Sequence, residues 1–230
     1  MRYSLKDFLF LFDIDGTILE TNGCGKRSLL SAIEEVFNIK ADYSESFAGG
    51  IDCIFFKNYY DKYGQNIDFE KSWLDFKRIY SYNLKNSNKD NWNIFQNVYQ
   101  TIEFLYKYSN IALATGNIID AAYIKLENFN LHNFFCTGGF GENVETRDQI
   151  VKNAISNSEE KFNKKFDKKK IFLFGDTEKD IISAINNQIT PILIDHKDVN
   201  LKKIEEFNLK YYGKFIDINI FLDKIVYEID

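Results

Sequence analysis

Short, unbroken runs of apolar residues recur along the chain, and most are followed by a polar turn and helical periodicity. The first run is FLFLF at residues 8–12, and two others lie at residues 111–114 and 171–174. A comparable run lies at residues 189–194, around Pro191. A run without polar alternation is typical of a strand buried on both faces of a parallel sheet. Strands that alternate with helices predict a doubly wound α/β core with a mainly parallel sheet.

The helices of this core are predicted from apolar residues at helical spacing. One predicted face comprises Ile119, Ala122, Tyr123, Leu126 and Phe129, and another comprises Ile181, Ile182 and Ile185. Each predicted helix follows a predicted strand, as a crossover connection requires.

The pattern differs between residues 20 and 92, where apolar residues keep helical spacing and no strand signal interrupts them. The cluster NSNKDNWN at residues 86–93 is rich in turn formers and ends this region. We therefore predict an α/β core formed by residues 1–19 and 93–230, with an all-helical insertion at residues 20–92, called the cap segment below. We expect it to lie over the carboxyl ends of the strands, where open α/β sheets bind ligands.

Composition narrows the classes of function. The 230 residues suit one domain with an insertion, and the net charge of −5 argues against binding to nucleic acid or to an anionic membrane. Cys24, Cys53 and Cys136 lack the spacing of a zinc site or a disulfide framework, which favours a reducing cytoplasm. We expect a cytoplasmic monomer or homodimer whose partner is a small molecule.

Two carboxylates, Asp13 and Asp15, directly follow the first predicted strand. Residues i and i+2 of a strand share a side and lie about 6–7 Å apart. At an effective dielectric constant near 20, their repulsion is about 2–3 kcal/mol. A neighbouring cation is therefore expected to compensate.

Other polar groups follow the remaining predicted strands and converge on these acids if the sheet is parallel. Asp13, Asp176 and Asp180 offer the hard oxygen ligands that suit Mg²⁺, which would offset the repulsion and leave one acid to act as a nucleophile. The candidate phosphate ligands are Thr115, the backbone amides of Gly116 and Asn117 at a helix N-terminus, and the Arg147 guanidinium. Metal, anion site and carboxylate nucleophile together indicate phosphoryl transfer.

The stretches FDIDGTIL, LATGN, FGENVETRD and GDTEKDI resemble the four ordered motifs of the haloacid dehalogenase superfamily. Most members of that superfamily are Mg²⁺-dependent phosphohydrolases. TNGCGKRSLLSAIEEVF and FAGGIDCIF also resemble the cap of its phosphoglycolate-phosphatase-like branch. The resemblance implies a core fold of this superfamily with a helical cap inserted after the first motif.

The resemblance also implies roles for individual residues. Asp13 would form an aspartyl-phosphate, while Asp15 would protonate the departing alcohol and then activate water. Thr115 and Arg147 would hold the phosphoryl oxygens. The implied ligands of Mg²⁺ are Asp13, the main-chain carbonyl of Asp15, and Asp176, with Asp180 orienting that shell.

The third motif departs from the family pattern. Many relatives have a lysine followed by a proline-rich turn, whereas Arg147 occupies the matching position here and no such turn exists. Lys152, one helical turn later, is the weaker substitute. Which of the two supplies the phosphate-binding cation stays open at this point.

We expect a phosphatase acting on a small phosphomonoester, with phosphoglycolate as the default by resemblance. The alternatives are a sugar phosphomutase and a catalytically silent phosphate- or metal-binding protein. Asp15 argues against carbon–halogen cleavage, because family dehalogenases usually lack the second acid. A phospho-acceptor signalling domain would be about half as long and would lack the insertion.

Structural roles are the alternatives for the single residues. Asp13 and Asp15 would then lie in a solvated turn, and Thr115 would cap a helix. Asp176 and Asp180 would cap and solvate the helix that follows them, and Arg147 would form a surface salt bridge. Charged or glycine positions of the cap segment that could face a substrate are Gly23, Gly25, Lys26, Arg27, Asp52 and Lys57. We expect its aromatic residues, including Tyr59, Tyr60, Trp73 and Tyr80, to pack between helices.

Overall fold

A parallel six-stranded sheet forms the centre of the protein. The structure is a computed structural model that describes residues 5–44, 49–196, 207, 209 and 212–215. In chain order the strands are β1 (Leu9–Phe12), β2 (Leu19–Glu20), β3 (Asn93–Ile94), β4 (Asn110–Ala114), β5 (Gly138–Gly139), β6 (Ile171–Gly175), β7 (Thr190–Ile194) and β8 (Tyr212–Gly213). The sheet order is β5-β4-β1-β6-β7-β8, and β2 pairs with β3 in a separate antiparallel ribbon. The predicted α/β fold class is confirmed, and the four predicted strands are β1, β4, β6 and β7.

Strand β1 lies at the centre of the sheet because all four of its side chains are apolar and fully buried. Its residues pair in register with β4 on one side and β6 on the other. On one face, the rings of Phe12 and Phe174 stack with centroids 4.5 Å apart. Since β1, β4 and β6 are parallel, the polar residues that follow them meet at one edge of the sheet.

Four helices flank this sheet: α4 (Val98–Tyr108), α5 (Ile119–Glu127), α6 (Arg147–Lys161) and α7 (Glu178–Asn186). Helices α5 and α7 occur where they were expected, but the predicted buried faces need correction. Ile119, Ile182 and Ile185 are 43%, 39% and 47% exposed. Asp180 accepts hydrogen bonds from the Thr177 hydroxyl and from Arg147, which fix the orientation of α7. Asp180 therefore faces inward together with Ile181, the member of the predicted apolar face that is buried.

Between the ribbon strands, the described part of the cap segment contains the helices α1 (Cys24–Phe37), α2 (Asp52–Tyr63) and α3 (Phe69–Lys85), which are connected by turns and loops. Its core is a cluster of aromatic and aliphatic side chains in which the rings of Phe56 and Trp73 lie 5.0 Å apart. The predicted packing role of Trp73 is confirmed, since it is buried in this cluster. Tyr80 is buried in the cluster and also borders a cavity. Ile118 and Ala121 of the core join the same cluster, so the cap segment packs against the start of α5.

The two strands of the ribbon flank the cap segment, with β2 at its start and β3 at its end. Leu19 pairs with Ile94 and Glu20 with Asn93, close to the predicted boundaries at 20 and 92. The division of the chain into two domains stays a prediction, and residues 45–48 of the cap segment lie outside the described residues.

Across the described ranges, no helix has both the length and the apolar character needed to cross a bilayer.

Candidate active site

A cavity of about 300 Å³ opens at the carboxyl edge of the sheet, between the core and the cap segment. Most of the predicted site residues line it, namely Asp13, Asp15, Gly116, Asn117, Arg147 and Asp176. Thr115 and Asp180 do not line the cavity and are buried, 0% and 2% exposed. The parallel sheet thus brings together residues that are far apart in sequence.

Three carboxylates form a compact acidic cluster on one side of this cavity. Asp13, Asp176 and Asp180 each offer an oxygen within 4.8 Å of the others. Asp13 is fixed by its backbone N–H, which donates to the Phe174 carbonyl at 2.9 Å. Gly16 has φ +82°, and a Cβ there would lie 2.2 Å from Oδ2 of Asp176. Only a glycine therefore lets the first loop approach this carboxylate so closely.

Arg147 is the cation that contacts this cluster. Its Nη2 lies 3.0 Å from Oδ1 of Asp13 and 2.5 Å from Oδ1 of Asp180, and it also donates to the Ala114 carbonyl at 3.2 Å. Its side chain is 7% exposed, which does not fit a surface salt bridge. Lys152 is exposed on α6 and does not line the cavity.

One cation does not fully compensate these three carboxylates, of which Asp13 and Asp180 are buried and Asp176 is partly buried. Burial raises the pKa of Asp13 to about 6, and Asp180 and Asp15 add to this rise while Arg147 opposes it. Burial also raises the pKa of Asp176 to about 8, with further contributions from Asp13 and Asp180. The raised pKa values mean that Asp13 and Asp176 ionise less readily unless more positive charge is near. An all-oxygen donor set of this kind fits a hard divalent cation.

Asp15 lies apart from this cluster and belongs to a second polar network. Its Oδ2 accepts hydrogen bonds from Nζ of Lys125 at 2.5 Å and from Nδ2 of Asn117 at 2.8 Å. Lys125 also donates to Oδ1 of Asn117 at 2.6 Å. Thr115 Oγ1 accepts from Nδ2 of Asn117 at 2.8 Å, so the Thr115 hydroxyl supports this amide.

Comparison with known proteins assigns the family. A model of the family described as haloacid dehalogenase-like hydrolase matches residues 10–194, which is well over half of the chain. The chain belongs to this hydrolase family. No curated protein sequence gives a significant match.

Solved structures share this fold of haloacid dehalogenase-like hydrolases over nearly their whole length. A predicted phosphatase from Clostridium acetobutylicum aligns with a TM-score of 0.64 and 20% identity, covering 96% of this chain and 99% of its own. A predicted phosphoglycolate phosphatase from Haemophilus somnus gives 0.64 and 18%, covering 95% and 98%. A family IA, variant 3 hydrolase from Entamoeba histolytica gives 0.65 and 15%, covering 95% and 99%. At these identities the similarity establishes the fold alone.

Lys125 is the residue of this haloacid dehalogenase-like site that the sequence analysis missed. It lies on α5 and its side chain is 3% exposed. A signal was present, because Lys125 interrupts the apolar face formed by Ala121, Ala122 and Leu126. A lysine at the centre of a buried helical face needs a polar partner, which helical spacing alone does not identify.

The cap segment is attached to the start of α5 by polar contacts. Oδ2 of Asp52 accepts from the N–H of Ile118 at 2.8 Å, and the Asp52 N–H donates to the Gly116 carbonyl at 2.8 Å. Burial raises the pKa of Asp52 to about 7, although Lys125 and the Ile118 N–H oppose the rise. On the outer side, Glu142 accepts from the Ile119 N–H and pairs with Lys77 of α3 at 3.1 Å.

The cap residues that were candidates for facing a substrate divide into two groups. Gly23, Gly25, Lys26 and Asp52 line the cavity. Arg27 instead donates to the Asn22 carbonyl at 3.2 Å, and Lys57 pairs with Asp61 at 2.6 Å; neither lines the cavity. The helix that begins at Cys24 therefore faces the site with its first turns.

Proposed function

We propose that the chain is a Mg²⁺-dependent phosphatase that hydrolyses a small phosphomonoester through an aspartyl-phosphate on Asp13. The observation that carries this proposal is the cluster of Asp13, Asp176 and Asp180 oxygens within 4.8 Å, with a second acid, Asp15, facing the same cavity. Asp13, Asp176 and the main-chain carbonyl implied for Asp15 would hold the ion, and Asp180 would orient that shell. When bound, Mg²⁺ would supply positive charge against the carboxylates and the phosphoryl oxygens.

The protein's own residues would divide the reaction into two displacements. A carboxylate oxygen of Asp13 attacks phosphorus, the ester P–O bond breaks, and Asp15 gives its proton to the departing oxygen. Asp15 then takes a proton from water as the water oxygen attacks the aspartyl-phosphate, which releases phosphate and restores Asp13. The same side chain thus serves as acid and then as base.

The phosphoryl oxygens would be held by groups at the cavity wall. Gly116, Asn117 and Arg147 line the cavity, at the start of α5 and in contact with the acidic cluster. Thr115 lies behind this wall, where its hydroxyl holds the Asn117 side chain. Its contribution to phosphate binding would therefore pass through Asn117.

The size of the cavity supports a small substrate. A volume of about 300 Å³ lies at the lower end of the range for ligand pockets, about 300–1,000 Å³. We propose a singly phosphorylated metabolite, with phosphoglycolate as the first compound to test, since one structural relative is described as a predicted phosphoglycolate phosphatase. We also propose that the protein acts in the cytoplasm as a monomer or homodimer, without nucleic acid or membrane.

Phosphate release tests this proposal. The protein is incubated with p-nitrophenyl phosphate, phosphoglycolate and a panel of other phosphorylated metabolites, with Mg²⁺ or with a chelator. We expect Mg²⁺-dependent release that Asp13→Asn abolishes and that Asp61→Asn, a change in an exposed ion pair of α2, leaves intact. Equal background rates for wild type and Asp13→Asn would refute the enzyme proposal, and conversion of a hexose phosphate to an isomer without free phosphate would indicate the mutase instead.

A further inference from the structure

Lys125 is a buried cation that has no role in the two displacements proposed above. Its ammonium group lies 2.5 Å from Asp15 and 2.6 Å from Oδ1 of Asn117, and the side chain is 3% exposed. A buried ammonium of this kind is retained only when its charge is paired and its protons are bonded. Asp15 provides the paired charge, and Asn117 provides a second acceptor.

The network binds one particular oxygen of Asp15. Lys125 and Asn117 both donate to Oδ2, and within the described part of the chain no hydrogen bond reaches Oδ1. The Asp15 side chain is 42% exposed while Lys125 is not, so Oδ1 is the oxygen available on the cavity side. Two donors on one oxygen fix both the rotation and the direction of the carboxyl group.

The Lys125 side chain is itself held from the cap segment and from the loop after β4. A Cβ at Gly25 would lie 3.3 Å from both Cε and Nζ of Lys125, so the start of α1 packs directly against the ammonium group. The Asn117 amide that accepts from Lys125 is in turn held by Thr115 Oγ1. Lys125 is therefore confined to a position beside Asp15. It forms an ion pair with Asp15, whereas Arg147 contacts the acidic cluster.

We propose that Lys125 is a positioning residue for Asp15. It holds Oδ2 so that Oδ1 faces the departing oxygen of the substrate, and it balances the negative charge left on Asp15 after the proton has moved. This role rests on the proposed phosphatase function. It makes the importance of Lys125 depend on the leaving group, because only a leaving group that needs a proton relies on a well-placed acid.

Single-turnover rates on two substrates test this role. The group that leaves from phosphoglycolate is an alkoxide that needs a proton, whereas the group that leaves from 2,4-dinitrophenyl phosphate is a stable phenolate that does not. In Lys125→Met we expect the rate of glycolate release from phosphoglycolate, or of alcohol release from the best alkyl phosphate of the panel, to fall at least about 100-fold. The rate of dinitrophenolate release from dinitrophenyl phosphate should fall by less than about 5-fold. In an Asp15→Asn background, adding Lys125→Met should change the dinitrophenyl phosphate rate by less than about twofold.

The outcomes separate this role from the others. Equal losses on both substrates, or a further loss in the Asp15→Asn background, would mean that Lys125 binds the phosphoryl group or only supports the fold, and would overturn the proposal. Circular dichroism shows whether Lys125→Met folds. If it does not, Lys125→Gln is measured on the same substrates with the same expected results. Lys107→Met, at an exposed lysine of α4, is the control that should change neither rate. A wild-type protein that hydrolyses neither compound with Mg²⁺ would refute the phosphatase function itself, and the role of Lys125 with it.

Discussion

Asp52 offers a test of how burial and charge are balanced where the cap segment meets the core. Its carboxylate is 9% exposed and accepts the N–H of Ile118, the N-terminal flanking residue of α5. We expect the isosteric change Asp52→Asn to remove the buried charge and keep an oxygen that can accept this hydrogen bond. The variant therefore isolates the cost of ionising Asp52 in the folded protein.

The size and sign of the effect follow from the pKa values. The pKa of Asp52 is about 7 in the folded protein, compared with 3.8 for an unperturbed aspartate. This difference corresponds to about 4 kcal/mol, an upper estimate. The folded state holds the proton of Asp52 more tightly than the unfolded state does, so protonation of Asp52 stabilises the folded protein. This stabilisation is fully present below the unfolded pKa and is lost as pH rises through about 7. Asparagine does not ionise, so the free energy of unfolding of Asp52→Asn should exceed that of wild type by an amount that grows with pH.

Urea unfolding at a series of pH values in the presence of a chelator measures this difference. Trp73 and Trp92 are buried in the cap segment and report its unfolding by fluorescence. We expect the two proteins to be nearly equal at about pH 4 and to differ by up to about 4 kcal/mol at about pH 8.5. Asp61→Asn, at an exposed position of the same helix, should differ from wild type by less than about 0.5 kcal/mol throughout. A difference between Asp52→Asn and wild type that does not change with pH would refute the reasoning.

Two further substitutions test the acidic cluster. Arg147→Met removes the cation that contacts Asp13 and Asp180, so the metal-free protein should lose about 3–5 kcal/mol of stability at neutral pH. Added Mg²⁺ should raise the melting temperature of this variant more than that of wild type, and equal shifts in thermal unfolding would contradict the proposed charge balance. Gly16→Ala places a Cβ 2.2 Å from Oδ2 of Asp176, and it should raise the Mg²⁺ concentration for half-maximal activity by at least about tenfold. Gly213→Ala is its matched control, because Gly213 also has a positive φ but a Cβ there meets nothing within 4 Å; similar Mg²⁺ curves for the two variants would attribute the effect to backbone strain alone.

The sequence was sufficient for the parts of the fold in which each residue carries its own signal. Four strands were predicted because apolar runs of four or more residues are buried in a parallel sheet. The convergence of Asp13, Asp176 and Asp180 followed from the same argument, since parallel strands end at one edge. Strands of two residues, such as β3 and β5, lack the length for a detectable pattern and form only because neighbouring segments pair with them.

The parts that could not be predicted depend on contacts between distant segments. The partner of Lys125 is Asp15, 110 positions earlier in the chain, so local spacing cannot identify it. The exposure of Ile182 and Ile185 follows from the fixed position of Asp180, whose hydrogen bonds outweigh the apolar periodicity of α7. Attachment of the cap segment through Asp52 likewise requires the position of the N-terminus of α5, which only the assembled fold supplies.

The ribbon formed by β2 and β3 has a consequence for how such a molecule varies. Because Glu20 pairs with Asn93, the polypeptide enters and leaves the cap segment at neighbouring points. The described helices α1, α2 and α3 thus connect two paired strands, as a hairpin turn would. The entropic cost of closing such a connection rises only slowly with its length. An insertion of another size or shape could therefore replace the cap segment with little change in the folding of the sheet.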